Sequence, residues 1–168
     1  VDQIEVNRGQ VSYQDGMTGR KTDLNIDHLN LQKFSESDLQ DFEIKAQYLN
    51  HSVEINGRTG SLKSWFKNLP FTLDISINSA DAQVSVKGEI NQPINFKGLN
   101  IKINIEAESL SSFSWLADLN FPPIGPGALG ARLSDQKNGY KLDDFSVDIG
   151  GSNVSGPVEI ITTKPQPM

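Results

Sequence analysis

The chain has 168 residues, 36% of them hydrophobic and 21% charged, which is enough for one domain with a hydrophobic core. A formal net charge of −6 argues against nucleic acid as a partner, because that partner needs clustered lysine and arginine. The absence of cysteine excludes disulfides, thiolate metal ligands and a cysteine nucleophile. No apolar stretch is long enough to span a bilayer, and no signal peptide is recognisable.

The first third of the chain alternates between apolar and polar residues. The alternation on either side of Asn7–Gln10 predicts a hairpin there, and Asp15–Gly19 predicts a second turn. Leu24 and Ile26 share one face, but the next apolar pair, at residues 29 and 31, falls on the opposite parity. A bulge near residues 27–28 restores the register, since one inserted residue reverses every later side chain.

The central part of the chain alternates most clearly. Phe71–Ile77 and Ala82–Val86 predict two strands joined by a polar turn, and Leu99–Ala107 predicts a third. Pro93 separates the last two strands, because proline cannot donate to a strand ladder. Ser64–Asn68 predicts a single helical turn.

The last third begins with a break in the strand pattern. Apolar spacing over Leu110–Leu119 predicts a short amphipathic helix with Ser111 or Ser112 as N-cap. Phe121–Gly127 predicts a rigid extended connector, and an Asn-Gly pair in Asp135–Gly139 predicts a hairpin turn. Further alternating strands continue to residue 161.

Three segments repeat one phrase, in which an alternating strand, a polar turn and a second strand end at glycine. They are Phe42–Gly57, Phe71–Gly88 and Phe145–Gly156. Such a repeat indicates a sheet that grows by adding hairpins. We therefore expect a mainly β fold, namely a curved, twisted antiparallel sheet of ten to twelve sequential strands. One or two short helices cover its apolar face. Residues 1–161 form one domain, and residues 162–168 form a flexible end.

Residues that carry chemistry are sparse. His28 and His51 lie near turns without a neighbouring histidine, so they do not predict a zinc site. Asp143 and Asp144 lack the spacing of a calcium loop, and no serine occurs in a nucleophile elbow. The sequence therefore predicts a protein that is not an enzyme, with no metal and no cofactor.

The remaining candidate is the long apolar face. Its residues either fill an ordinary β-sandwich core or line a groove for an apolar ligand, and the sequence leaves both interpretations open. The groove candidates are Ile75, Ile77, Val84, Val86, Ile101, Ile103, Ile105, Val147, Ile149 and Val154. The candidates that cover this face from the predicted helix are Phe113, Trp115 and Leu116.

Four phrases in order resemble the AsmA family of bacterial envelope proteins. They are IEVNRGQVSYQDGMTG at 4–19, LNIDHLNL at 24–31, FPPIGP at 121–126 and LDDFSVDIGGSNVSGPVEI at 142–160. The resemblance implies a periplasmic segment of a longer protein anchored in the inner membrane of a Gram-negative bacterium. Relatives of this family are bridge-like lipid transfer proteins, in which long curved sheets carry phospholipid tails.

The resemblance also implies the partners. Phospholipid acyl chains would lie on the apolar face during transport between inner and outer membranes or in outer-membrane assembly, beside neighbouring segments of the parent chain. Membrane contact is expected only through parts outside this chain, because it begins at Val1 and contains no anchor. No catalytic residue is implied. The alternative function is a structural or protein-interaction β-sandwich of an envelope or surface assembly, and an enzyme acting on envelope glycans ranks third.

Overall fold

The computed structural model describes residues 3–14, 19, 21–33, 38–49, 51–114 and 120–161. All strands in this part of the chain belong to one antiparallel sheet, open and curled. The strands are β1 (Gln3–Gln14), β2 (Lys21–Lys33), β3 (Leu39–Tyr48), β4 (His51–Gly60), β5 (Phe71–Asn78), β6 (Ala82–Gln92), β7 (Lys97–Ala107), β8 (Gly127–Gln136), β9 (Gly139–Ile149), β10 (Ser152–Ser155) and β11 (Val158–Ile161). The prediction of a mainly β, antiparallel sheet is confirmed.

Strand order follows the chain from β1 to β10. The last strand departs from this order, because β11 pairs with β9 rather than with β10. Strand β9 is longer than β10, so β10 occupies one half of its outer edge and β11 the other half. The expectation of a strictly sequential sheet is therefore wrong at its C-terminal edge.

The predicted hairpin at Asn7–Gln10 is also wrong. These residues lie within β1, which pairs with β2 from Gln3 to Gln14. Arg8 has a φ of 60°, a left-handed conformation that is unusual for a residue other than glycine. The polar stretch thus lies inside one long strand, and the strand does not reverse until after Gln14.

The bulge predicted in β2 is confirmed. The register with β3 shifts between Ile26 and His28, so Ile26 opposes Ala46 while Leu29 opposes Ile44. The extra residue is absorbed without changing the face that the apolar side chains share. Both apolar pairs of β2 consequently contribute to one surface.

Two glycines of the repeated phrase stand where strands approach closely. A Cβ at Gly57 would collide with the carbonyl oxygen of Asp74, and one at Gly88 would collide with that of Asn100. Gly88 also has a φ of 157°, which side chains rarely adopt. Each of these glycines lies inside its strand, β4 or β6, and permits the close contact with the following strand.

The buried core lies at one end of the sheet, beneath helix α1 (Leu62–Phe66). Its buried side chains belong to β5, β6 and β7 and are Phe71, Leu73, Ile90, Leu99 and Ile101. Ser61 caps α1 by accepting a hydrogen bond from the Ser64 backbone N–H. Trp65 of α1 packs against this core with its ring 5.0 Å from the ring of Phe71, edge to face.

A second short segment lies near the opposite end of the sheet. Leu110–Phe113 forms a 3-10 turn within the predicted helix Leu110–Leu119, and residues 115–119 of that prediction lie outside the described residues. Its N-cap is Ser109, whose side chain accepts a hydrogen bond from the Ser111 N–H, so the predicted caps Ser111 and Ser112 are wrong. The cover candidates Trp115 and Leu116, and the side chain of Phe113, lie outside the described residues.

Candidate binding surface

One apolar side chain from each of ten neighbouring strands forms a continuous line across the sheet. Each member directly opposes the next in the strand register, and directly opposed residues share a face. We call this line the apolar row; it comprises Val6, Leu29, Ile44, Ile55, Ile77, Val84, Ile105, Leu129, Val147 and Val154. It runs from β1 to β10.

Parallel lines of side chains flank the apolar row on the same face. On the side of α1, one flanking line crosses β3 to β7, and each member opposes the next. Its members are Phe42, Gly57, Ile75, Val86 and Ile103. On the other side the flanking residues are small or aliphatic, including Ala46, Val53 and Ala107. The apolar face is therefore at least three residues wide over the central strands.

The apolar row is not buried. Val6 and Val154 are 36% and 66% exposed, and the other eight members are half-buried. The apolar side chains that are buried belong to other lines of the face. Since every described strand belongs to a single sheet, no second sheet packs over the row in the described part of the chain. The β-sandwich of the alternative interpretation is wrong for these residues.

The structure places all ten groove candidates on this one face. Five of them, Ile77, Val84, Ile105, Val147 and Val154, belong to the apolar row itself. Ile75, Val86 and Ile103 form the flanking line towards α1. Ile149 lies on the other flank, opposite Gly127.

Ile101 differs from the other candidates because it lies in the core beneath α1 and is 8% exposed. Four further members of the row were not among the predicted groove residues, which came mainly from the central strands. They are Leu29, Ile44, Ile55 and Leu129. These residues alternate in the same way. Only the register, which aligns them with Ile77 and Val84, distinguishes them as part of the same line.

Two cavities open along this face, each beside the 3-10 turn. One of about 180 Å³ is lined by Ile105, Leu110, Leu129, Val147 and Ile149, together with Gly127 and Ala128. The other, of about 250 Å³, is lined by Leu24, Ala46, Tyr48, Val53, Ile55, Ile77, Ser79, Ala82, Val84 and Ser112. Their linings are almost wholly apolar, which suits hydrocarbon and offers few partners for a polar ligand.

The opposite face of the sheet is polar. Arg58 donates to Asp41 at 2.7 Å, and Lys87 donates to Asp74 at 2.7 Å. The hydrogen bond that Arg58 donates to Asp41 raises the pKa of Arg58. A cavity of about 500 Å³ on this side is lined mainly by such groups. The sheet is therefore amphipathic, with ion pairs on one side and aliphatic chains on the other.

The residues considered for catalysis have ordinary partners. Asp143 pairs with Lys141 and raises the pKa of that lysine, while Asp144 lies 3.7 Å from Arg132. His28 shares a hydrogen bond of 2.9 Å with Asn7. Within the described ranges, no three histidine, cysteine or acidic side chains come together to hold a metal ion. What this surface offers chemically is apolar contact.

Among the helices that the structure describes, none has the length and hydrophobicity needed to cross a membrane.

By its architecture the protein is an open antiparallel sheet with one aliphatic face and one polar face. The chain is similar to the AsmA family protein YhjG of Escherichia coli (strain K12), with 25% identity over 134 residues. The match covers 75% of this chain and 20% of that protein, so this chain spans about one fifth of the relative's length. No family model matches the chain, and no solved structure matches it at a significant level. This distant similarity supports an AsmA-like relationship.

Proposed function

We propose that the apolar row and its flanking lines form a hydrophobic groove that holds phospholipid acyl chains in the periplasm. On this proposal the chain is a non-enzymatic segment of an AsmA-like protein, which acts in lipid transport between the two membranes or in outer-membrane assembly. The observation that carries it is the run of ten opposed apolar side chains that stay half-buried or exposed. A soluble sheet rarely leaves so long an aliphatic line uncovered unless an apolar partner covers it.

The dimensions favour an elongated hydrocarbon ligand. Ten strands are separated by nine steps of about 4.8 Å, which gives a path of roughly 43 Å along the sheet. One leaflet of a bilayer has a hydrocarbon thickness of about 15 Å, half of the usual ~30 Å. The row is thus longer than a single acyl chain, and it offers successive positions rather than one fitted pocket.

Apolar contact with the row would hold an acyl chain without selecting among different acyl chains. Each methylene transferred from water contributes about 0.8 kcal/mol, so a chain of about sixteen carbons has a gross driving force of about 13 kcal/mol. Isoleucine, valine and leucine provide this without directional bonds. Neighbouring positions on the row are therefore nearly equivalent in energy, as movement along it requires.

The proposed role is that of one segment of a longer groove. The chain corresponds to about one fifth of the relative, and a bridge between two membranes requires more sheet than these strands provide. The lines at β1 and at β10 both reach the sheet edges, where Val6 and Val154 are exposed. Further strands at either edge would extend the same apolar surface.

Gentle purification followed by native mass spectrometry tests the proposal. We expect co-purified phospholipid, and a fluorescent fatty acid should bind to the delipidated protein. Val84→Glu places a carboxylate in the centre of the row and should abolish binding. Val84→Thr keeps the shape and should weaken binding about fivefold, which retains the test if the glutamate variant unfolds.

The matched control is Gln83→Glu, which adds the same charge one residue away on the opposite, exposed face. It should bind like the unchanged protein. If the protein carries no lipid and takes up no fatty acid, or if Gln83→Glu and Val84→Glu reduce binding equally, the proposed groove is contradicted. Circular dichroism of each variant separates loss of binding from loss of folding.

A further inference from the structure

A second apolar surface lies at the end of the sheet where α1 is found. Five large apolar side chains are each about half exposed or more there, although they come from two separate connections of the chain. We call them the end patch: Leu62, Phe66, Leu69, Ile94 and Phe96. Phe66 is the most exposed, at 74%. None of them belongs to the apolar row.

The two connections are held together. Asn68 accepts a hydrogen bond from the Ile94 N–H at 3.1 Å, and the ring of Trp65 lies 6.3 Å from that of Phe96. Trp65 is itself fixed against Phe71 of the core. Leu62 and Phe66 are four residues apart on α1, so they share one helix face while Trp65 points inward. Contacts between the two connections and with the core therefore hold the end patch in a defined position.

Positive charge accompanies the end patch. Lys63 and Lys67 lie in the first connection, and Lys97 begins β7 directly after the second; residues 61–70 and 92–98 contain no aspartate or glutamate. The whole chain, in contrast, carries a net charge of −6. Lys97 also helps to lower the pKa of Asp135 on β8, so the strongest case for a basic surface rests on Lys63 and Lys67.

The opposite end of the sheet has the reverse character. There a cavity of about 590 Å³ is lined by Asp81, Glu106, Glu108 and Asp148, among other residues. Lysines thus accompany the end patch, with Asp135 also at that end of the sheet, whereas the cavity at the other end is lined by acids. This asymmetry would orient the molecule towards a negatively charged surface with the end patch foremost.

We propose that the end patch docks on the surface of a bilayer containing anionic lipid. Exposed phenylalanine and leucine enter the boundary between headgroups and acyl chains, and lysines beside them contact anionic headgroups. This departs from the expectation that membrane contact occurs only through parts outside the chain. The end patch is distinct from the apolar row, so this proposal stands even if acyl-chain binding along the row fails.

Flotation with vesicles tests the docking. The protein should float with vesicles of phosphatidylcholine and phosphatidylglycerol, bind far less to phosphatidylcholine alone, and be released by high salt. Phe66→Ser should weaken partitioning about tenfold, and Lys63→Gln with Lys67→Gln should remove the preference for the anionic vesicles. Both sites are exposed, so folding should be retained.

The matched control is Ile124→Ser, which removes a 47% exposed apolar side chain near the acidic end. It should float like the unchanged protein. Failure to float with anionic vesicles overturns the proposal, and so does an equal loss for Phe66→Ser and Ile124→Ser. A Phe66-dependent dimer in sedimentation, without vesicle binding, would assign the end patch to a second copy of the chain instead.

Discussion

Ile101 and Ile105 lie on the same strand and the same face, four residues apart, yet their surroundings differ. Ile101 is 8% exposed in the core that Trp65 covers, whereas Ile105 is half-buried beside an apolar cavity. The residue type and the alternation are identical at both positions. The difference shows that what packs over a β face, rather than the strand pattern, decides whether an isoleucine is core or available surface.

The largest expected effect tests the close strand contact beneath the core. Gly88→Ala should destabilise the protein by about 4 kcal/mol, because its Cβ would meet the Asn100 carbonyl at a φ of 157°. Gly127→Ala is the matched control on the same face, since an added Cβ there meets only the Asp148 oxygen at 3.9 Å. Urea unfolding should separate the two variants. Equal stabilities would show that the approach of β6 to β7 is not constrained by Gly88.

The comparison of Ile101 with Ile105 can be made directly. Ile101→Ala should cost about 3 kcal/mol in the free energy of unfolding, and Ile105→Ala about 1 kcal/mol, because the latter loses less burial. Fatty-acid binding should show the reverse order, with Ile105→Ala weakening it and Ile101→Ala leaving it nearly unchanged. If both variants lose stability and binding in the same proportion, the core and the apolar row are not distinct regions.

The smallest expected effect concerns the polar margin of the core. The Leu99 backbone N–H, which donates to Asp135 at 2.7 Å, lowers the pKa of that carboxyl group. The resulting stabilisation is present above the unfolded pKa of about 3.9 and is lost as the pH falls through the lower folded pKa. Asp135→Asn should therefore cost about 1 kcal/mol near neutral pH and little in strong acid. Unfolding curves at both pH values measure this, and a pH-independent difference would contradict it.

Alternation along the strands was sufficient to predict the sheet and its apolar face. The bulge in β2 could also be predicted, since the parity of Leu24 and Ile26 differs from that of Leu29 and Leu31. Parity is a local property, so it can be read from a single segment. It does not say which residues of separate strands oppose each other, which explains why Leu29, Ile44 and Ile55 were missed.

Other features depend on competition between local and long-range interactions. Asn7–Gln10 has the composition of a turn, but the ladder with β2 keeps it within one strand, and Arg8 adopts a φ of 60°. Likewise, the spacing after Leu110 predicts an N-cap at Ser111 or Ser112, whereas Ser109 caps the 3-10 turn that begins at Leu110. The end patch could not be predicted at all, because its two connections are far apart in sequence and meet only in the folded sheet.

The most direct test of the account is photocrosslinking with a fatty acid that carries a diazirine on its chain. After irradiation, peptide mass spectrometry identifies the labelled residues. Labels are expected on the apolar row, chiefly on β5 to β9 around Ile77, Val84 and Ile105, and they should be lost in Val84→Glu. Labels confined to the end patch or to the polar face, with the row unmarked, would contradict the claim that this face holds acyl chains.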